Sequence, residues 1–178
     1  MAYDFKDLSV LIVEDNAPVR DITASILQTF GCKKIYTARN GEEGFVEFCI
    51  HSPDLVITDW MMHPLDGFDM AELMRTHSES PNPYAPVILM TAFTQHSKIL
   101  RARDVGVTEI MVKPFSARDL YKRLVQVIEK PRRFVKSDNF FGPDRRRQVQ
   151  DYFKGTYKRE TDVRPEDYIT FKDRDETN

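Results

Sequence analysis

Short runs of apolar residues recur along the first part of the chain and define its predicted strands. Four of these runs, at 10–13, 55–57, 87–90 and 110–112, are apolar at every position. Strands buried on both faces of a parallel sheet have this pattern, whereas half-exposed strands alternate between apolar and polar residues. A weaker run at 35–38 predicts a fifth strand nearer the edge of the sheet.

Helical patterns fill the intervals between these strands. Each pattern begins at a residue whose side chain can cap a helix: Asn16, Asn40, Asp66, Ser97 and Ser116. Gly31, Pro53 and Gly106 end the first, second and fourth patterns. Strand and helix therefore alternate five times. This alternation predicts a three-layer, doubly wound α/β fold with a parallel sheet over residues 7–130.

The composition is that of an ordinary globular protein, with 41% hydrophobic and 30% charged residues. A net charge of −2 gives no overall bias toward nucleic acid or a membrane surface. We find neither a signal peptide nor an apolar run of the roughly 18 residues that a membrane span requires, so a cytoplasmic location is expected. Cys32 and Cys49 lack metal-ligand spacing and are interpreted as buried, reduced thiols.

Residues 131–178 differ from the rest of the chain in composition. They are enriched in arginine and aromatic residues and show no sustained helical or strand repeat. A DNA-binding output domain would require a three-helix pattern, which this segment lacks. We therefore expect an irregular C-terminal tail and no separate output domain.

Charged and polar residues follow the predicted strands at the points where the strands end. Glu14 and Asp15 follow the first strand, Asp59 the third, Thr91 the fourth and Lys113 the fifth. Ligands of doubly wound sheets bind at the carboxyl ends of the strands, so we expect these five side chains to converge at one edge. Surface charges of no functional importance would show no such relation to the strand ends.

The residue types in this group suit phosphoryl transfer. Three clustered carboxylates repel one another unless a hard cation lies among them, and Mg²⁺ prefers carboxylate and water ligands. A carboxylate can act as a nucleophile and form an acyl phosphate, while Mg²⁺ and Lys113 would balance the charge of the transferred oxygens. Thr91 can donate a hydrogen bond to a phosphoryl oxygen. The small side chain of Ala92 beside it leaves space for the phosphoryl group to reach the site. No group is left over as a general base for a second substrate.

Four segments resemble the receiver domains of two-component systems, particularly CheY-like single-domain response regulators. They are 11–16 (LIVEDN), 57–62 (ITDWMM), 89–92 (LMTA) and 112–115 (VKPF). Each segment alone is a weak signal, but the four occur in order and at strand ends. The resemblance covers residues 7–130 and implies a flavodoxin-like fold with five parallel strands in the order 2-1-3-4-5. It also implies a phosphoprotein of a phosphorelay.

The resemblance implies a role for each acidic residue of the predicted site. Asp59 would be the phosphoacceptor. Asp15, Asp59 and the backbone carbonyl of Met61 would bind Mg²⁺, and Glu14 would act mostly through metal-bound water.

The same resemblance implies how the site is used. Lys113 would pair with the phosphoryl group, and its peptide bond to Pro114 would be cis. The phosphoryl group would come from a histidine kinase or a histidine phosphotransfer protein. The chain would not be an enzyme with a separate substrate, because it would catalyse only its own phosphorylation and slow dephosphorylation.

Three features depart from the usual receiver pattern. Ile110 replaces an aromatic residue that swings inward when the threonine engages phosphate, so signalling by that switch is not expected. His63 stands where the loop usually has proline, with Pro64 one position later, and we interpret His63 as an exposed loop residue rather than a metal ligand. Met61 and Phe93 are bulky and apolar at two positions that influence how water reaches the acyl phosphate, which predicts slow dephosphorylation.

One motif in the tail suggests a binding role. Its residues are Phe140, Phe141, Arg145, Arg146 and Arg147. Arginine together with aromatic residues binds planar, phosphate-bearing ligands through ion pairing and stacking, and the segment resembles the arginine-rich tails of CheY-like regulators that bind cyclic dinucleotides. Packing of the tail on this domain, packing on a second copy in a homodimer, and binding of a protein partner are the alternatives.

Two functions are therefore consistent with the sequence, and a third is disfavoured. The first is a phosphorylation-controlled switch that acts on an unidentified downstream protein or relays the phosphoryl group. The second treats the receiver as a scaffold whose tail binds a nucleotide or a protein. Intact Asp59, Thr91 and Lys113 favour the first. A phosphatase with an aspartate nucleophile would usually have a second acid where this chain has Met61.

Overall fold

A five-stranded parallel sheet lies at the centre of the protein, which a computed structural model describes over residues 3–92, 96–137, 140–144 and 168–169. The strands are β1 (Ser9–Val13), β2 (Lys34–Ala38), β3 (Leu55–Asp59), β4 (Val87–Thr91) and β5 (Glu109–Val112). They are ordered β2-β1-β3-β4-β5, and every adjacent pair is parallel. The predicted flavodoxin-like order is therefore confirmed.

In the part of the chain that the structure describes, four helices connect these strands and a fifth follows β5. They are α1 (Ala17–Thr29), α2 (Gly41–His51), α3 (Gly67–Thr76), α4 (His96–Asp104) and α5 (Ala117–Glu129). The side chains of four predicted caps each accept a backbone N–H of the first turn: Asn16, Asn40, Asp66 and Ser116. Gly31 and Gly106 have positive φ angles, which end α1 and α4 as the sequence predicted. Within the described ranges, none of the helices is both long enough and apolar enough to cross a lipid bilayer.

Alternate residues of the buried strands face opposite sides of the sheet and build two hydrophobic cores. In β1, Leu11 and Val13 join the core on the side of α2 and α3, whereas Val10 and Ile12 join the core on the side of α1 and α5. β1, β3 and β4 are buried at every position, which explains why the runs 10–13, 55–57 and 87–90 within them are apolar throughout.

The two cysteines are free thiols in different environments. Cys32 is buried and Cys49 is half-buried, so the expectation of two fully buried thiols is correct for Cys32 alone. Burial raises the pKa of both thiols above the usual value. Both side chains are therefore weak nucleophiles at neutral pH.

The first part of the tail is regular, where the sequence predicted an irregular extension. Two antiparallel strands, β6 (Phe134–Ser137) and β7 (Phe140–Pro143), form a hairpin, and β8 (Tyr168–Ile169) pairs with the other edge of β6. The β6 strand is only four residues long and has two buried and two exposed positions. Such a short segment is stabilised by packing on the domain rather than by its own apolar repeat.

Candidate functional site

Backbone hydrogen bonds join the carboxyl ends of the central strands and bring the predicted site residues together. The N–H of Trp60, which follows Asp59, donates to the Met90 carbonyl at 3.0 Å. The Lys113 N–H donates to the Thr91 carbonyl at 2.7 Å. The ends of β3, β4 and β5 therefore converge on one edge of the sheet.

Lys113 connects two of the acidic residues at this edge. Its Nζ lies 2.6 Å from Glu14 Oε2 and 2.6 Å from Asp59 Oδ1. Both carboxylates are buried, so these charge-assisted pairs are less screened by water than surface pairs are. The sequence predicted that Lys113 pairs with a phosphoryl group, and the structure adds a direct pairing with two carboxylates. The peptide bond between Lys113 and Pro114 is cis, as predicted.

Burial and ion pairing shift the pKa values of two residues in the site. Burial raises the pKa of Glu14 above its usual value, and the charge of Asp59 adds to this rise, although Lys113 opposes both. Burial alone would lower the pKa of Lys113, but its hydrogen bonds to Asp59 and Glu14 raise that pKa overall. Lys113 is therefore a fixed positive charge at neutral pH.

Glu14, Asp15 and Asp59 form a compact group of carboxylates. One oxygen from each lies within 4.8 Å of the others, and Asp15 is the exposed member of the group. Three carboxylates outnumber the single ammonium group beside them, so a divalent cation would balance the remaining charge. A donor set made of oxygen atoms suits Mg²⁺ better than zinc or copper. The residues at this edge thus fit the magnesium ion that the receiver resemblance implies.

The loop after β3 returns to the carboxylate of Asp59. The Met61 N–H donates to Asp59 Oδ2 at 3.1 Å, so the Met61 backbone lies beside the carboxylate group, where its carbonyl is predicted to bind the metal. The Met61 side chain is 56% exposed. His63 is also exposed and does not belong to the carboxylate group, in agreement with its interpretation as a loop residue.

The other predicted residues near the end of β4 and on β5 differ in burial. Thr91 is buried and Ala92 is exposed. Ile110 is half-buried and packs against the core on the side of α3. Phe93 lies outside the described residues.

The binding candidates of the tail are described only in part. Phe140 and Phe141 belong to β7. The Phe141 ring centroid lies 5.3 Å from that of Tyr84 and 5.7 Å from that of Phe134, so Phe141 takes part in packing the hairpin. The three arginines lie outside the described residues: Arg145, Arg146 and Arg147.

Two residues that sequence reasoning missed support the site. A Cβ atom at Gly67 would collide with the carbonyl oxygen of Asp59, so glycine allows α3 to begin directly against the end of β3. Arg20 donates from Nη1 to the Glu14 carbonyl at 2.7 Å. The signal for Gly67 is its position after the capping residue Asp66, whereas Arg20 has no comparable signal in a single sequence.

Comparison with known protein families gives a match over residues 10–125 to the response regulator receiver domain. The chain belongs to this family. All the residues that converge at the strand ends lie within the matched region, and the protein is a receiver of the kind used in two-component phosphorelays.

Individual relatives cover the same region. The chain is 39% identical over 111 residues to the transcriptional regulatory protein PdtaR of Mycobacterium tuberculosis, a match that covers 62% of this chain and 52% of PdtaR. It is 33% identical over 121 residues to the probable transcriptional regulator ycf27 of Porphyra purpurea, covering 68% of this chain and 47% of the relative. The chain therefore spans about half the length of these curated relatives.

A solved structure supports the fold assignment. The chemotaxis protein CheY4 of Vibrio cholerae has 29% sequence identity to this chain and superposes with a TM-score of 0.63. The superposition covers 67% of this chain and 98% of CheY4. The likeness thus extends over a whole receiver domain.

Proposed function

We propose that this chain is a response regulator that accepts a phosphoryl group on Asp59 and thereby changes its contacts with other proteins. The observation that carries this proposal is the position of Lys113 Nζ, 2.6 Å from Asp59 Oδ1. Both groups lie at the sheet edge that holds the three carboxylates. An acyl phosphate formed on Asp59 has its negative charge next to a fixed ammonium group.

The transfer is a displacement at phosphorus. A carboxylate oxygen of Asp59 bonds to the phosphorus of a phosphohistidine while the phosphorus–nitrogen bond breaks, and the imidazole leaves with the bonding electron pair. Lys113 stays protonated throughout and pairs with the oxygens of the transferred group. The hydroxyl group of Thr91 donates a hydrogen bond to one of these oxygens.

Asp15, Asp59 and the Met61 carbonyl are the proposed ligands of Mg²⁺, with Glu14 acting through metal-bound water. When bound, Mg²⁺ supplies positive charge to the oxygens of the phosphoryl group. The compact carboxylate group and the hydrogen bond from the Met61 N–H to Asp59 support this assignment. Lys113 pairs with Glu14 and Asp59 at the same distance, so the smaller contribution of Glu14 to metal binding follows from its indirect contact through water.

The proposed phosphoryl donor is a histidine kinase or a histidine phosphotransfer protein, the kind of partner that membership of the receiver family implies. The chain is a phosphoacceptor rather than an enzyme with a separate substrate. Its proposed output is a protein–protein contact with an unidentified partner. PdtaR and ycf27 are named as regulators of transcription, but each is about twice the matched length, so their output is not carried over to this chain.

Incubation of the full chain with acetyl phosphate and Mg²⁺, followed by intact-mass measurement, tests the assignment of Asp59. We expect one added phosphoryl group in the wild type and none in Asp59→Asn. Asp21→Asn is the matched control, because Asp21 is exposed on α1 away from the carboxylate group. Full labelling of Asp59→Asn would show that another residue accepts the phosphoryl group.

A further inference from the structure

The hairpin of β6 and β7 is docked on the receiver at the amino ends of β4 and β5. Phe134 is 4% exposed, and its ring centroid lies 5.2 Å from that of Tyr84, just before β4, and 5.7 Å from that of Phe141. Arg132, just before β6, donates at 2.9 Å to the buried Glu109 at the start of β5. Aromatic packing and an ion pair thus hold the hairpin on the domain.

Arg75, near the end of α3, is buried beneath this hairpin. Its guanidinium group donates to the carbonyls of Gly106 and Pro83 at 2.8 to 3.2 Å and lies 5.2 Å from the centre of the Phe134 ring. In the part of the chain that the structure describes, Arg75 has no carboxylate partner, and burial lowers its pKa to about 9. Burial of a cation without a carboxylate is costly, and the two carbonyl oxygens and the Phe134 ring offset this cost. Arg75 therefore depends on the docked hairpin for part of its stabilisation.

The hairpin also contacts the end of α4. Gly106 belongs to the turn that ends this helix, because its N–H donates to the Arg103 carbonyl at 3.3 Å. Gly142 of β7 lies so close that a Cβ atom added to it would be 2.9 Å from the Cα atom of Gly106. The Phe140 ring lies equally close, 2.8 Å from the added Cβ atom, but the Gly106 backbone has no flexible end that could move aside. A displacement of the end of α4 therefore reaches the hairpin directly.

Arg101 connects α4 to the amino end of α3. Its guanidinium group lies 2.7 Å from Asp69 and 3.7 Å from Asp66, and it stacks 4.7 Å from the centre of the Phe68 ring. Asp66 is the capping residue of α3 and the last residue of the loop that begins after Asp59. α4 is thus joined to the phosphoacceptor loop through Arg101 and to the hairpin through its C-terminal turn.

We propose that the C-terminal hairpin is an internal output element that loosens when Asp59 is phosphorylated, and that Arg101 and α4 connect the two. The proposal rests on the proposed function of Asp59. Phosphorylation replaces a single carboxylate charge with a group of nearly two charges, and the Met61 N–H that donates to Asp59 Oδ2 lies beside this added charge. Gly67, packed against the Asp59 carbonyl, carries this change to the start of α3 and so to Arg101.

This connection does not depend on an aromatic residue in β5. Ile110 is part of the packed core and has no ring that can turn inward. The contacts of α4 with α3 and with the hairpin supply a different connection between the site and the surface. Loosening of the hairpin uncovers Tyr84, Phe134 and Arg75, an aromatic and cationic surface that is covered in this structure.

Hydrogen exchange of residues 132–144 in the full chain, with and without acetyl phosphate and Mg²⁺, tests the proposal. The amides of the hairpin are protected by the pairing of Val135 with Gly142 and by the bond from the Asp144 N–H to the Arg133 carbonyl. We expect phosphorylation to speed exchange of this segment at least about fivefold, the lower end of typical coupling between sites. Intact mass, measured on the same samples, reports the phosphoryl group independently.

Three variants separate the steps of the connection. Arg101→Gln is expected to become phosphorylated without faster exchange of residues 132–144. Arg103→Gln is the matched control and should behave as the wild type, because Arg103 lies on the same helix but pairs with its neighbour Asp104. Gly142→Ala should detach the hairpin by collision with Gly106, giving fast exchange in both forms and a reference for the released state.

Unchanged exchange in protein that carries the phosphoryl group would overturn the proposal. So would a response of Arg101→Gln equal to that of the wild type, or fast exchange of the wild type before the phosphodonor is added. Absence of the phosphoryl mass would instead overturn the proposed function of Asp59, and the inference would be lost with it.

Discussion

Lys113 pairs with Glu14 and Asp59 at 2.6 Å each, whereas Asp15, the third carboxylate, is exposed. This difference predicts unequal contributions of Asp15 and Glu14 to the proposed Mg²⁺ site. We expect Asp15→Ala to lower Mg²⁺ affinity at least about tenfold, because a site with only one or two carboxylate ligands loses a large share of them. Glu14→Ala should lower the affinity less, since Glu14 shares its charge with Lys113.

The fluorescence of Trp60, the single tryptophan of the chain, provides the measurement because Trp60 adjoins Asp59. Titration with Mg²⁺ would compare the wild type with the two variants. Asp21→Ala, which removes an exposed carboxylate of α1, should titrate as the wild type. Equal losses of affinity in Asp15→Ala and Glu14→Ala would contradict this division of roles.

The side chain of Met61 is expected to affect the lifetime of a phosphoryl group on Asp59. Its side chain is 56% exposed beside Asp59, and a thioether cannot orient an attacking water as an amide can. We expect Met61→Asn to speed loss of the phosphoryl group several-fold at unchanged Mg²⁺ affinity, with Phe93→Glu acting in the same direction. The decay would be followed by intact mass after removal of the phosphodonor.

His63→Asn is the control for this lifetime experiment. It places the same amide two residues further along the exposed loop, where it should leave the decay rate unchanged. If Met61→Asn and His63→Asn decayed at the wild-type rate alike, the apolar side chain would have no part in the lifetime.

At the scale of secondary-structure elements, the contact between α3 and β3 determines the shape of the loop between them. A side chain at Gly67 collides with the Asp59 carbonyl, so we expect Gly67→Ala to lower the free energy of unfolding by about 2–3 kcal/mol and to weaken Mg²⁺ binding as well. Gly31→Ala is the comparison, because Gly31 has a positive φ angle but open space around it. It should cost about 1 kcal/mol and leave metal binding unchanged, as measured by urea unfolding and Trp60 fluorescence.

Most elements and the residues at the strand ends could be predicted from the sequence. The runs 10–13, 55–57 and 87–90 are apolar because both faces of β1, β3 and β4 are buried, and parallel strands bring their last residues to one edge wherever the helices lie. Four helix starts were predicted correctly from their side-chain caps. The prediction of Ser97 as the cap of α4 is wrong, because this helix begins at His96 and Ser97 lies inside it.

The docked hairpin and its charged contacts could not be predicted in this way. Arg75 and Glu109 resemble surface charges in the sequence, since their burial depends on partners from distant segments. Arg75 donates to the carbonyls of Pro83 and Gly106, and the partners of Glu109 come from α5 and from the segment before β6. A pattern of apolar residues contains no information about such partners.

At the scale of the whole molecule, buried residues continue beyond the segment that matches the receiver family. The match ends at residue 125, yet Phe134 is almost fully buried and Val135 is completely buried beyond that point. The hairpin is therefore expected to contribute to the stability of the receiver rather than to form a separate appendage. A receiver shortened to the matched region would expose Arg75 and the aromatic surface around Tyr84.

Phe134→Ala tests this view of the folding unit. Removing a buried phenylalanine ring typically costs about 3–5 kcal/mol. We expect about 3 kcal/mol here, because Phe134 belongs to a surface hairpin and one of its ring contacts is Phe141 of the same hairpin. Lys136→Ala, which changes an exposed residue of the same strand, should have little effect on the free energy of unfolding.

Urea unfolding followed by the fluorescence of Trp60 is the measurement, because Trp60 lies at the carboxyl ends of the strands and the hairpin at their amino ends. If the hairpin folds with the receiver as one unit, the midpoint reported by Trp60 must fall in Phe134→Ala with an unchanged slope. If the hairpin were an independent appendage, its destabilisation would leave the Trp60 transition where it is.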